Sequence, residues 1–187
     1  GILQAGNALT VSAGSLDNRA GGEILAPELR LAATATHTLT NRGLIDGGDT
    51  RIDAITLNNL GTGRLYGDHL AIAASTLNNH AEGSDAPVIA ARDRLDLGVT
   101  TLSNRDGALI FSAGDIAIGG ALDANHRATG QAGTITNSSA TIEALGNLDV
   151  AAGLIDNRRS TFAVDQVVIS SPPINVVLWD KGGGGNY

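Results

Sequence analysis

Leu57 to Asn79 reads LNNLGTGRLYGDHLAIAASTLNN, and it opens and closes on the same tripeptide, Leu57-Asn58-Asn59 and Leu77-Asn78-Asn79. Between the two lie a glycine-punctuated aliphatic segment, Gly63-Arg64-Leu65-Tyr66-Gly67, and the alternating segment Leu70-Ala71-Ile72-Ala73. Alternation with a period of two is the mark of a strand with one buried face. Three short strands joined by tight turns fit the stretch, and the return of its opening tripeptide marks it as one unit of a repeat.

Working outward, the aliphatic-x-Asn tripeptide recurs at Leu16-Asp17-Asn18, Leu39-Thr40-Asn41, Leu102-Ser103-Asn104, Ile135-Thr136-Asn137 and Ile155-Asp156-Asn157, giving seven copies. The Asn-to-Asn spacings are 23, 18, 20, 25, 33 and 20 residues, a period that signals a solenoid or array. Each of the first six copies is followed by a turn and a second aliphatic segment, around Ile24, Ile45, Leu65, Ile89, Ile110 and Ile142. A third, alternating segment comes next: Leu29-Arg30-Leu31, Arg51-Ile52-Asp53-Ala54, Leu70-Ala71-Ile72, Leu95-Asp96-Leu97, Ile116-Ala117-Ile118 and Leu148-Asp149-Val150. Ala8 to Ala13 reads as the third segment of a unit whose beginning has been cut away.

Strands joined as tightly as the second and third segments would ordinarily form an antiparallel hairpin. The alternative is that each strand pairs with its counterpart one repeat away and the chain winds a coil. A repeat near 20 to 23 residues suits three strands of four or five residues plus three turns, so the expected fold is all-β: a parallel β-helix of about eight coils of three short strands. Stacked at about 4.8 Å per coil, it makes a rod on the order of 40 Å long. Composition agrees with a thin aliphatic interior: aromatics are 3%, Met and Cys are absent, and 25 of 187 residues are Gly.

In aliphatic-x-Asn the outer two residues share a face, so Asn18, Asn41, Asn59, Asn79, Asn104, Asn137 and Asn157 point inward at a strand end. A buried amide needs partners. Stacked on its equivalents, it can bond up and down the column and to turn backbone as an asparagine ladder. The competing reading is that Asn is there because it tolerates left-handed turn geometry.

Two stretches depart from the repeat. Residues 119 to 133 insert turn formers within the 33-residue spacing, as a surface loop or an extra irregular coil, and Asn125, His126 and Arg127 are its candidates for contact with a partner. From residue 160 to 187 the composition changes to Val167-Val168-Ile169, Pro172-Pro173 and the apolar Ile174 to Trp179, followed by a Gly-rich end. The domain division is therefore 1–159 for the repeats and 160–187 for a C-terminal cap, an irregular strand segment, or the start of the next module. Trp179 either covers the open end of the last coil or anchors a partner.

The absence of Cys excludes disulfides, thiolate metal sites and cysteine nucleophiles. A net charge of −7 with a single Lys weighs against nucleic-acid binding. No segment has about 18 uninterrupted apolar residues, so a membrane-spanning helix is not expected. The first residues lack an initiator Met and a signal-peptide pattern, as expected of an internal piece of a longer protein. A β-helix can also be a carbohydrate-active enzyme, which would need clustered carboxylates in a groove. The candidates Asp46, Asp49, Asp53 and Asp68 are spread through turns, where Asp is a common turn former. His37, His69, His80 and His126 have no metal-ligand spacing and read as solvent-exposed. No catalytic, cofactor or metal residue is expected.

The repeats LDNRAGGEILA, LTNRGLIDGG and LNNLGTGRLYGDHLAIAA resemble the filamentous haemagglutinin repeat region of two-partner-secretion exoproteins of Gram-negative bacteria, a group of haemagglutinin adhesins and contact-dependent growth inhibition effectors. The resemblance covers roughly residues 5 to 160. It implies a right-handed, non-enzymatic β-helical stalk, exported through an outer-membrane two-partner transporter and displayed on the cell surface. Such a stalk presents a distal binding or toxin module. The resemblance also leaves open a segment that itself contacts a target-cell receptor.

Overall fold

The computed structural model describes residues 1–33 and 37–160. Among them every regular element is a strand. Each of the three segments pairs in parallel with the same segment one repeat away, so the coil, and not the stack of hairpins, is the fold. Seven turns are wound. Numbering a turn from its second segment, the inward positions of that segment form the column Leu3, Ile24, Ile45, Leu65, Ile89, Ile110, Ile142. The third segment contributes two inward columns. One runs Leu9, Leu29, Thr50, Leu70, Leu95, Ile116, Leu148, and the other Val11, Leu31, Ile52, Ile72, Leu97, Ile118, Val150. The aliphatic-x-Asn segment closes each turn with Leu16, Leu39, Leu57, Leu77, Leu102, Ile135, Ile155.

The structure corrects the sequence reading in three places. Seven turns are wound by the described residues where about eight were expected. In the third to fifth turns the three segments are not separate short strands: Leu44–Leu60, Arg64–His80 and Val88–Arg105 run as single bent strands of 17, 17 and 18 residues. Pairing is carried around most of these corners, with a register shift between Gly67 and His69 where the fourth turn meets the fifth, so most corner amides stay paired where a loop would leave them to water. Finally, Ile2–Gln4 is a second segment, pairing with Glu23 to Leu25, so the first turn is complete.

Residues 119 to 133 form a loop and not an extra coil. Ala121–Leu122 and Ala128–Thr129 pair antiparallel as a small hairpin, and the chain then rejoins the columns at Ile135. The C-terminal cap or module at 160–187, with Trp179, lies outside the described residues apart from Ser160.

The interior is four aliphatic columns with no ring among them. Leu29, Leu39, Ile45, Ile52, Leu57, Leu65, Leu70, Ile72, Leu77, Ile89 and Leu95 are fully buried. Burial of one such side chain stabilises by about 1.5–3 kcal/mol, and because each turn packs only on its neighbours the contribution repeats turn by turn. The columns are open at both ends of the described rod, where Leu3, Leu148 and Ile155 are about half exposed. One column position breaks the pattern: Thr50 occupies a leucine site, is fully buried, and its Oγ1 has no hydrogen-bond partner.

Candidate functional site

Three constructions on this scaffold hold polar chemistry: a buried corner, a covered outer face and an ion-paired ridge. At the corner that ends each aliphatic-x-Asn strand, the seven asparagines form one chain of side-chain hydrogen bonds. Nδ2 of each donates to Oδ1 of the next: Asn18 to Asn41 at 2.8 Å, Asn41 to Asn59, Asn59 to Asn79, Asn79 to Asn104 and Asn104 to Asn137 at 2.9 Å, and Asn137 to Asn157 at 3.0 Å. The second amide hydrogen goes to backbone, as from Asn79 to Leu109 O at 3.1 Å and from Asn104 to Thr141 O at 2.9 Å. Asn41, Asn59, Asn79 and Asn104 are completely inaccessible to solvent.

None of the seven has a positive φ; among the described non-glycine residues only Asp106, His126 and Ser139 do. Left-handed geometry is therefore not why asparagine stands there. The side chains fold back against the corner backbone so closely that a Cβ at Gly43 would lie 2.7 Å from Asn18 Nδ2, and one at Gly63 would collide with Asn59 Oδ1. Glycine holds this corner position at residues 22, 43 and 63, and Pro87, Ala108 and Ala140 take it in the later turns, where the ladder continues.

On the outer face of the third segment, the insertion hairpin folds back over the fourth and fifth turns. Its backbone at Ala121 and Leu122 presses on Gly98, where any side chain would collide. Beneath it Asp96 is fully buried. Its carboxylate accepts from Arg94 Nε at 2.7 Å, from Arg94 NH2 at 3.1 Å and from the backbone N–H of Ala128 at 2.9 Å. His69 Nε2 lies 3.0 Å from Oδ2 and Arg127 NH1 lies 3.7 Å from it. Burial pushes the Asp96 carboxyl up, but the hydrogen bonds from His69, Arg94 and the Ala128 N–H outweigh it and bring the carboxyl down to about 2. At neutral pH this is an ionised carboxylate that ties the hairpin to the rod.

Of the residues proposed for partner contact, Asn125 and Arg127 are exposed at the hairpin turn and His126 between them is half-buried. Asp123 Oδ1 accepts from the backbone N–H groups of Asn125 and Arg127 at 2.8 and 2.9 Å, which fixes the turn. Trp179 lies outside the described residues. Three of the four named residues, consecutive in sequence, therefore sit at the tip of the hairpin.

The corner between second and third segments carries Asp46, Asp49 and Asp68, and Asp53 stands on the outer face of the third segment. Arg92 reaches back two turns, holding Asp46 with both oxygens at 3.0 Å and Asp68 at 3.1 Å. Arg30 holds Asp49 at 2.6 Å, and Arg51 holds Asp53 at 2.6 Å. Each of these aspartates is matched to an arginine, a pattern of structural ion pairing. On the opposite side Glu82 bridges to Arg42 with two contacts of 2.7 Å, and that pairing holds the Glu82 carboxyl below its usual value.

None of the four histidines is the solvent-exposed residue the sequence suggested; all are half-buried. His69 is engaged with Asp96, and His80 Nε2 lies 2.8 Å from Ser103 Oγ. Burial, with Arg105 nearby, lowers the pKa of His80. Among the described residues no group of three or more His, Cys, Asp or Glu side chains is placed to hold a metal ion, and no helix is long and apolar enough to cross a membrane.

Against known proteins, the chain is 32% identical over 132 residues to the protein named Deoxyribonuclease CdiA of Dickeya dadantii (strain 3937). That match covers 63% of this chain and 4% of the relative, so the chain spans a small fraction of the protein it resembles. No family model matches the chain, and no solved structure does.

Proposed function

We propose that this chain is a stalk segment of a large secreted exoprotein acting in contact-dependent growth inhibition, carried on the surface of a Gram-negative cell. The observation that carries this reading is the similarity to the CdiA protein combined with the fold: an uninterrupted seven-turn solenoid with a repeating core and repeating corner ladder. Such a rod adds length turn by turn and places no demand on any single surface residue. In this reading a two-partner transporter exports the chain unfolded. Each emerging turn then pairs with the exposed edge of the last, so that folding favours passage across the outer membrane. The deoxyribonuclease activity in the relative's name belongs to that protein, and we assign no nuclease chemistry to these residues.

The test is made in the full-length protein. Excising residues 42–59 removes one turn and rejoins Asn41 to the residue that follows Asn59, leaving the columns in register. A stalk predicts near-normal export and near-normal inhibition of target cells, with the rod shorter by about 4.8 Å. Loss of inhibition with normal export and surface display would overturn the stalk reading in favour of a segment that contacts the target receptor itself.

A further inference from the structure

The described residues contain two six-membered aromatic rings, Tyr66 and Phe111, which are 45 positions apart in sequence. The solenoid places both in one outward column of the second face. That column runs Gln4, Leu25, Asp46, Tyr66, Ala90, Phe111, Glu143. The rings stand two levels apart with the methyl of Ala90 between them, and with Ala91, Arg92 and Ala113 they line an open pocket of about 300 Å³.

Two levels are about 9.6 Å at the strand spacing. A third ring placed midway would lie about 4.8 Å from each wall, inside the roughly 4.5–7 Å range at which aromatic pairs attract. Alanine at the middle level is what keeps the space open. The pocket offers few free hydrogen-bonding groups, because the Arg92 guanidinium is already taken up by Asp46 and Asp68. A pyranose ring, which needs partners for its hydroxyls, is poorly served there. A hydrophobic ring is well served.

The surroundings of the slot are acidic. Asp46 and Glu143 bracket it in its own column, and exposed Asp68 and Asp93 stand at the corner beside it. The nearby cations are Arg92 and Arg64, and Arg64 NH1 donates to Gly63 O and Ala86 O. Four carboxylates face two guanidiniums, a net charge of −2; Asp46 and Asp68 are themselves paired with Arg92, which leaves Asp93 and Glu143 as the carboxylates outside that ion pair.

We propose that the slot between Tyr66 and Phe111 is a docking site for an exposed aromatic side chain of a partner protein, carried on a loop whose neighbouring residues are basic. Aromatic side chains are the common anchors of protein interfaces, and charge complementarity around an anchor selects among partners. This site is independent of the stalk reading: a stalk can carry it, and its loss leaves the rod intact.

The test uses the whole chain, isotopically labelled, with backbone amides followed by NMR while a tripeptide is added at low salt. The probes are Lys-Trp-Lys, Glu-Trp-Glu and methyl glucoside. The site predicts saturable shifts at Tyr66, Ala90 and Phe111 with Lys-Trp-Lys, at least threefold weaker binding of Glu-Trp-Glu, and no shift with the glucoside. Ala90→Leu points outward into the slot and should abolish the shifts with an unchanged melting temperature. Four results would overturn the proposal: no shift with Lys-Trp-Lys, equal binding of the two peptides, shifts that persist in Ala90→Leu, or binding of the glucoside alone. A fifth would be movement of the same amides on Trp179→Ala without any probe, which would make this chain its own occupant.

Discussion

Replacing Asn104 by Leu breaks the ladder within its buried stretch while keeping a branched side chain of four heavy atoms. Asn104 accepts from Asn79 Nδ2 and donates to Asn137 Oδ1 and Thr141 O, each at 2.9 Å, and it has no solvent access. Leucine would leave one N–H of Asn79, the Oδ1 of Asn137 and the Thr141 carbonyl unpaired. A stranded buried polar group costs about 1–3 kcal/mol, and the added apolar burial returns about 1–2 kcal/mol. The net expectation is a loss of about 2–5 kcal/mol. For a chain of this size that lowers the melting temperature by about 5–15 °C. The control is Asn157→Leu, at the exposed end of the ladder, where the donor Asn137 Nδ2 keeps Ala140 O at 3.2 Å. That variant should cost under about 1 kcal/mol. Thermal melts of both, followed by circular dichroism, decide the matter. Equal shifts, or an unchanged melting temperature for Asn104→Leu, would refute the claim that the ladder stabilises the rod.

Asp96 gives a pH signature. Its carboxyl is lowered from 3.8 to about 2, so the stability it contributes is present above pH 3.8 and fades as the pH falls through about 2. Asp96→Asn should therefore lose about 1–2 kcal/mol at pH 6 in urea unfolding, and the two curves should converge near pH 2; parallel curves across that range would count against the assignment. Thr50→Leu restores the column residue and removes an unpartnered buried hydroxyl, so it should raise stability by about 1–2 kcal/mol in the same assay, and a decrease would mean that Gly47 and Gly67 leave no room for the larger side chain.

The repeat was legible because a solenoid writes its core into sequence at fixed register: an aliphatic residue two positions before an asparagine, seven times over, specifies both an inward column and a corner. Where a column residue departs from type, the reading slipped. Thr50 looks like a solvent-facing residue, and Ile2–Gln4 lacks the preceding tripeptide that would mark it as a second segment. The partners of Asp96 were invisible for another reason. Its burial depends on a hairpin from the next turn folding backward over Gly98, and no local spacing encodes that direction. The slot between Tyr66 and Phe111 depends on stacking at single-residue register across turns of unequal length, since the turn from Leu65 to Ile89 is longer than the turn from Ile89 to Ile110. With two Phe, two Tyr and one Trp, the composition offers little from which to build a ring-lined surface. The solenoid builds one from two residues by bringing distant positions into a column.

Each asparagine marks one turn, and each turn rises by one strand spacing. Asp17 and Asp156 occupy the same outward column in the first and seventh turns. Spin labels on cysteines at these two positions should be separated by six spacings, about 29 Å between backbone sites, with a single narrow distribution in a pulsed electron resonance measurement. A distance clearly shorter or longer, or a broad distribution, would contradict the seven-turn parallel stack on which the stalk, the ladder and the ring slot all depend.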